Sequence, residues 1–301
     1  MAHKPIVPCL WLDDQAEEAA RFYAGTFPRG RVTAVSRYPE SFDNPGGKPR
    51  GSVMTVDVDL AGLPFTLLNG GPLFVVNPSV SFFVHAATPD EATRLFGTLG
   101  EGGKVLMPLD TYPWSERYGW VQDCFGVSWQ VITGRPSPGG STVVPCLMFT
   151  GAQAGRAAEA MRTYTRAFPD GRVHDVTHYE AEEGPSGSVK HGRFSLAGQD
   201  MVAMDSHFEH GFAFNEAVSL QVMCADQAEV DRNWATLSDG GEEGPCGWLK
   251  DRFGLSWQVV PRGLAEWLAS PDGAARDRAF KAMLGMGKLD VTVLQAAFAG
   301  R

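Results

Sequence analysis

Histidine and cysteine, the side chains most often recruited for metal and redox chemistry, are scarce here, with seven and five copies in 301 residues. Their spacing decides what each could do. His207 and His210, in the run Asp205-Ser206-His207-Phe208-Glu209-His210, have the separation of two metal ligands, but the segment reads as a loop with no third ligand arriving from a strand. His174 and His178 share one strand face and are discounted on the same ground. His85 alternates with Ser81 and Phe83 along a short apolar strand, so it shares their face and could look into a pocket. The cysteines, Cys9, Cys124, Cys146, Cys224 and Cys246, show no Cys-x-x-Cys pair, which argues against a disulfide framework or a zinc knuckle. Cys9 and Cys146 lie inside apolar runs, where a thiol is inert. No Gly-x-Ser-x-Gly elbow offers a serine nucleophile, and no Gly-x-Gly-x-x-Gly turn offers a dinucleotide or S-adenosylmethionine site.

The elements that must position these residues follow from composition and period. A hydrophobic content of 44% suffices for packed cores in about two domains, and 35 glycines with 20 prolines point to many turns and short strands. A net charge of −9 repels phosphate backbones and anionic lipid, so neither a nucleic-acid nor a membrane-surface partner is expected. No stretch reaches the roughly 18 apolar residues of a membrane span. The opening residues, up to Asp13-Asp14, lack a signal-peptide core, so a cytoplasmic location is expected.

The chain repeats itself. Residues 119–130, GWVQDCFGVSWQ, and 247–258, GWLKDRFGLSWQ, agree at eight of twelve places. Val7-Pro8-Cys9-Leu10 recurs as Val144-Pro145-Cys146-Leu147, and Leu60-Ala61-Gly62 as Leu196-Ala197-Gly198. Each copy reads as two βαβββ units. The apolar run Ile6 to Leu12 is followed by Asp14 and Glu17, spaced as a capping box, and then by three strands. Val80 to Ala86 restarts the pattern, with Thr88-Pro89-Asp90-Glu91 opening the second helix and Asp226 with Glu229 doing the same in the second copy.

Two βαβββ units with a helix ending in Phe-Tyr resemble the vicinal oxygen chelate (glyoxalase, bleomycin-resistance and dioxygenase) superfamily. Trp11-Leu12-Asp13, Glu17-Glu18-Ala19, Phe22-Tyr23, Asn69-Gly70-Gly71-Pro72, Ser81-Phe82 and the GW…D.FG.SWQ strand are similar to its PhnB-like branch, also labelled the 3-demethylubiquinone-9 3-methyltransferase family. The resemblance covers residues 5–133 and 143–261. It implies an α+β fold of tandem domains, each two βαβββ units forming a cupped mixed sheet with helices on the outer face. The first domain would span 1–134, a linker 135–142, the second domain 143–262, and a helical tail 263–301.

Enzymes of that superfamily hold a divalent metal with His, Gln or Glu from strands one, four, five and eight. Carried over strand by strand, those positions hold Ile6 or Val7 and Val144, then Thr66 and Val202, Ser81 and Ser219, and Gln130 and Gln258. Hydroxyls and neutral amides supply no charge to offset dehydration of the ion, so neither metal nor other cofactor is expected. A cup remains, with Trp11, Thr66, Ser81, Phe83, His85, Trp114, Gln130, Ser219, Gln221 and Gln258 as candidate ligand-binding residues. Strand alternation turns Trp129 and Trp257 into the core, while Trp120 and Trp248 could face either way. The segment Leu106 to Tyr118, about ten residues longer than its counterpart, could lid the first cup or cover the neighbouring domain. Asn69-Gly70-Gly71 against Asp205-Ser206-His207, and Gln122 and Cys124 against Lys250 and Arg252, are expected to give the cups different ligands, the second tolerating an anion.

The expectation is a protein that binds a small, partly apolar molecule without a catalytic metal. No catalytic residue is assigned, and the residues do not decide between a binding module and an enzyme. The alternative is a metal-dependent lyase, dioxygenase or resistance transferase using His85, His207 or His210. The methyltransferase label finds no cofactor motif. A third expectation is a homodimer formed through the tail, where Ala279, Phe280, Met283 and Leu284 are helix-spaced.

Overall fold

The computed structural model describes residues 6–134 and 137–301; Arg135 and Pro136 of the expected linker lie outside the described residues. Four βαβββ units follow one another. The first comprises β1 (Ile6–Leu12), α1 (Ala16–Thr26), β2 (Arg31–Arg37), β3 (Val53–Leu60) and β4 (Leu63–Asn69). The second comprises β5 (Val80–Ala86), α2 (Pro89–Gly100), β6 (Lys104–Tyr112), β7 (Ser115–Gln122) and β8 (Ser128–Thr133). The third has β9 (Val143–Phe149), α3 (Ala157–Ala167), β10 (Arg172–His178), β11 (Val189–Leu196) and β12 (Gln199–Asp205). The fourth has β13 (Val218–Cys224), α4 (Gln227–Ser238), β14 (Glu242–Glu243), β15 (Trp248–Lys250) and β16 (Ser256–Pro261). A tail of α5 (Arg262–Leu268), α6 (Gly273–Leu284) and α7 (Val291–Ala299) ends the chain.

The strands form two eight-stranded mixed sheets, and each is built from both repeats. The first sheet runs β14-β15-β16-β13-β1-β4-β3-β2 and the second β10-β11-β12-β9-β5-β8-β7-β6. The seams are antiparallel, Cys9 opposite Ser219 and Ser81 opposite Cys146. The expectation that each sequence copy closes its own cup is therefore corrected. A unit pairs β1 with β4 on one side only, and the open edge of β1 is taken by β13 of the other repeat.

The main core runs through both repeats as one cluster, and within each repeat it joins the two sheets. Phe65 of the first sheet meets Phe82 of the second at 4.9 Å, and Trp129 packs on Phe82, Tyr23 and Phe27. The two sheets of a repeat thus meet back to back through their helices and aromatic rings, which leaves both concave faces outward. Asp123 ties this core: it accepts from Tyr23 Oη at 2.8 Å, Trp129 Nε1 at 2.7 Å, and the amides of Phe125 and Val127 at 2.9 Å. Asp251 makes the same four bonds with Tyr164, Trp257, Phe253 and Leu255. The repeated D.FG.SWQ string is thus a buried structural device. Burial pushes both carboxyls above the usual range, against the pull of four donors each.

Helix starts follow two designs. Thr88 and Asp226 cap α2 and α4, and Glu91 and Glu229 reach back to the amides of Ala87 and Ala225. The capping box expected at Asp14 and Glu17 does not form; the α1 amide of Ala16 donates instead to Asn69 Oδ1 at 2.9 Å, and Ala157 of α3 donates to Asp205 Oδ1 at 3.0 Å. Asn69 and Asp205 therefore hold helix N-termini.

The tail packs on its own chain. Phe280 is buried with Tyr38 and Met54, and Leu289 and Leu294 with Leu264, while Val260 packs beside them. Ser41 bonds Asp277 at one edge of the first sheet, and Cys246 and Gly247 donate to the carbonyls of Met286 and Gly287 at the other. The tail thereby crosses the concave side of that sheet. Of its helix-spaced apolar residues, Ala279 and Phe280 are buried in this packing, and Met283 and Leu284 pack partly against it. Among the described residues no helix is long and apolar enough to cross a membrane.

Candidate functional site

The register sorts the ten expected site residues between two concave faces. On the first sheet Thr66, Cys9, Ser219 and Ser256 line up across β4, β1, β13 and β16. Val7, Gln221, Gln258 and Trp248 form the next row. With Trp11, which shares the parity of Val7 and Cys9, five of the ten lie here. The other five, Ser81, Phe83, His85, Gln130 and Trp114, belong to the second sheet. There the rows are Val202, Cys146, Ser81, Ser128 and Val144, Phe83, Gln130, Trp120. Both Trp120 and Trp248 face the concave side.

The first sheet carries a polar chain. Gln258 Nε2 donates to Ser219 Oγ at 2.9 Å, Gln221 Nε2 to Gln258 Oε1 at 3.2 Å, and Thr66 Oγ1 lies 3.1 Å from Gln221 Oε1. Thr66 Oγ1 is also 2.8 Å from Asp57 Oδ1. The hydroxyl has one proton for two acceptors, so both contacts are satisfied when the Asp57 carboxyl is protonated and donates; turning the Gln221 amide instead would set its oxygen against Gln258 Oε1. Burial pushes Asp57 above the usual carboxylate range. Asp57 was not among the expected residues. In VMTVDVDL its charge falls on alternate positions with Asp59, which reads as an ordinary solvated strand face. Burial also lifts the Cys9 thiol to about 12, so it is no nucleophile at neutral pH.

Beside this chain, Trp11, Phe74, Trp248, Lys250 and Ser256 line a cavity of about 370 Å³. Trp11 Nε1 donates to the Gly71 carbonyl at 2.7 Å, and the ring meets Phe74 edge-on at 5.0 Å. Gly70 lies flat against that ring: a Cβ there would sit 2.1 Å from it, so no larger residue fits. Lys250 pairs with Glu216 at 2.8 Å, and Arg252 with Asp239. Both cations are thus already neutralised, which corrects the expectation that they would welcome an anion.

The second sheet is filled from within. Phe83, 4% exposed, stands where Gln221 stands in the first, and Val202 where Thr66 stands. Tyr118, Val144, Cys146 and Val202 bury with Phe83, and Met107, Tyr112, Trp120 and Met204 pack around them. Tyr118 Oη donates to Gln130 Oε1 at 2.7 Å, and Gln130 Nε2 to Ser81 Oγ at 2.9 Å. The long segment forms the β6–β7 hairpin, whose Tyr112 and Trp114 stack at 5.0 Å over Tyr118, leaving Trp114 54% exposed. His85 stacks on Phe83 at 6.3 Å.

No three His, Cys, Asp or Glu side chains converge among the described residues. His207 packs against Tyr179 and Phe208, and His210 bonds Ser206 Oγ at 2.6 Å and packs on Phe212. The HxxH spacing is spent on these local contacts. The side chains at the strand-one, -four, -five and -eight positions are aliphatic, hydroxyl or amide groups, and among the described residues Asp57 is the carboxyl hydrogen-bonded to them. Such a set does not fit a divalent ion.

The architecture is four βαβββ units in two cupped sheets. Glyoxalase I from Zea mays has the same fold, with a TM-score of 0.54 over 87% of this chain and 93% of that chain at 10% identity. The chain belongs to the 3-demethylubiquinone-9 3-methyltransferase family, which matches residues 4–132 and 141–260. The PhnB protein from Bacillus cereus is 33% identical over 42% of this chain and 98% of that one, with a TM-score of 0.39. Protein PA1353 from Pseudomonas aeruginosa is 26% identical over 42% and 93%, with a TM-score of 0.35. No curated protein matches the chain.

Proposed function

We propose that this protein binds a small, partly apolar molecule on the concave face of the first sheet, without a catalytic metal. The observation that carries the reading is the polar chain from Asp57 through Thr66, Gln221 and Gln258 to Ser219, beside an aromatic-walled cavity. Apolar walls with a few convergent polar groups are the usual lining of a small-molecule site. The second sheet supports no equal reading, because the positions of Gln221 and Thr66 are filled there by Phe83 and Val202. Methyl transfer, the activity in the family's description, is not part of the reading: the chain has no Gly-x-Gly-x-x-Gly turn for the methyl donor.

The test is solvent extraction of the purified full chain followed by mass spectrometry, with metal content measured on the same sample. The expected result is a co-purifying organic molecule that is lost in Gln258→Leu and retained in Gln130→Leu. About one divalent ion per chain, with ligand binding abolished by a chelator, would overturn the metal-free reading. Retention of the molecule in Gln258→Leu together with its loss in Gln130→Leu would move the site to the second sheet.

A further inference from the structure

The two sheets carry the same Trp and Ser at the same register and use them differently. On the second sheet Trp120 faces Gln130 and Gln122 faces Ser128, and Trp120 Nε1 donates to Ser128 Oγ at 2.7 Å. On the first sheet Trp248 faces Gln258 and Lys250 faces Ser256. There the tryptophan–serine bond is not made: Ser256 Oγ has no hydrogen-bond partner among the described residues, although the residue is 0% exposed. Trp248 instead meets Trp11 edge-to-face at 6.1 Å, and the cavity of about 370 Å³ opens beside Ser256.

An unpaired hydroxyl at full burial is costly, and folded proteins rarely keep one without a partner. The volume falls within the range of small-molecule pockets and near its lower end. The charge pattern narrows the occupant. Lys250 is the cation among the lining residues, and it is held by Glu216 at 2.8 Å and faces Glu242 across the β14–β15 ladder. A carboxylate or phosphate ligand would meet more negative than positive charge.

We infer that this cavity is a ligand subsite with Ser256 as its hydrogen-bonding floor. It takes a small uncharged molecule that carries one hydroxyl, carbonyl or amide group on an apolar body. Ser256 Oγ is covered in the cavity as it stands, so the polar group pairs with it by displacing the Trp248 side chain, and the body lies against Trp11. This rests on the binding function proposed above and names its ligand class.

The test uses two probes of one shape, phenylacetamide and phenylacetate, with the full chain and saturation-transfer NMR plus titration. The uncharged amide is expected to bind the wild type, and the carboxylate to bind about tenfold more weakly or not at all. Ser256→Ala should weaken phenylacetamide by about tenfold, while Ser128→Ala leaves it unchanged. Thermal melting checks the fold of each variant. Ser256→Ala should melt no lower than wild type, since it removes an unpaired buried hydroxyl, and Trp11→Phe gives a second variant that should also weaken the amide. Equal binding of the two probes, or equal binding of phenylacetamide to wild type, Ser256→Ala and Trp11→Phe, overturns the subsite. If phenylacetamide then still depends on Gln258, the binding function stands and only the subsite falls. No saturation transfer at all overturns the subsite, and the extraction experiment decides the function separately.

Discussion

The two concave faces are built to the same topology, and they differ in what fills them. At equal register one has Gln221 and Thr66, the other Phe83 and Val202. One keeps a polar chain beside an open cavity; the other buries a cluster of Phe83, Tyr118, Val144, Cys146 and Val202 under the β6–β7 hairpin. A duplicated fold can thus spend one cup on stability and keep the other for a ligand. The difference lies in a few side chains per row, because the backbone ladder is indifferent to which side chains project from it.

The comparison can be broken most severely by separating the repeats. Residues 1–134 alone leave β1 and β5 without β13 and β9, so neither cup can close. The expected product is a dimer or aggregate by light scattering, and a stable monomer with native strand content would contradict the shared-sheet topology. Next in size, Phe83→Ala should cost about 3–5 kcal/mol in urea unfolding, whereas Gln221→Ala at the same register should cost about 1–3 kcal/mol, from the donor lost to Gln258 Oε1. Equal costs would mean that the first face is as filled as the second. Tyr118→Phe strips the donor from the buried Gln130 Oε1 and should cost about 1–3 kcal/mol, against less for Thr66→Val at the more accessible chain.

The smallest effect concerns Asp57. Its folded pKa is raised by burial, so the stability its carboxyl contributes is full below the unfolded value of about 3.9 and is lost as pH rises through the folded value. Asp57→Asn removes that loss. The variant's melting temperature relative to wild type should therefore rise from about pH 4 to about pH 7. A difference independent of pH would show that the carboxyl stays charged in the fold.

Much of this was legible in the residues. The eight identities in GW…D.FG.SWQ announced the repeat, the two-residue period gave the strands, and parity placed Gln130 and Gln258 opposite their buried tryptophans. Thr88 and Asp226 capped as their spacing implied, since capping is settled within four residues. The α1 start was not legible, because its acceptor, Asn69, comes from a strand 53 positions away. Asp57 was passed over for a like reason: a strand's period tells which residues share a face, and only the neighbouring strands tell whether that face is buried.

The sequence by itself determined the units, their order, the residues sharing each strand face and the shortage of charged side chains at the strand positions facing the cups. Those are matters of local period and residue chemistry. Only the tertiary structure decided which units share a sheet. The seams β1–β13 and β5–β9 join different repeats through backbone hydrogen bonds, which are alike whatever the side chains, so nothing in either repeat's residues names its partner. That choice put Gln221 and Gln258 beside Thr66 and Trp11, set Phe83 and Gln130 beside Val202, and so left one face with a cavity and filled the other.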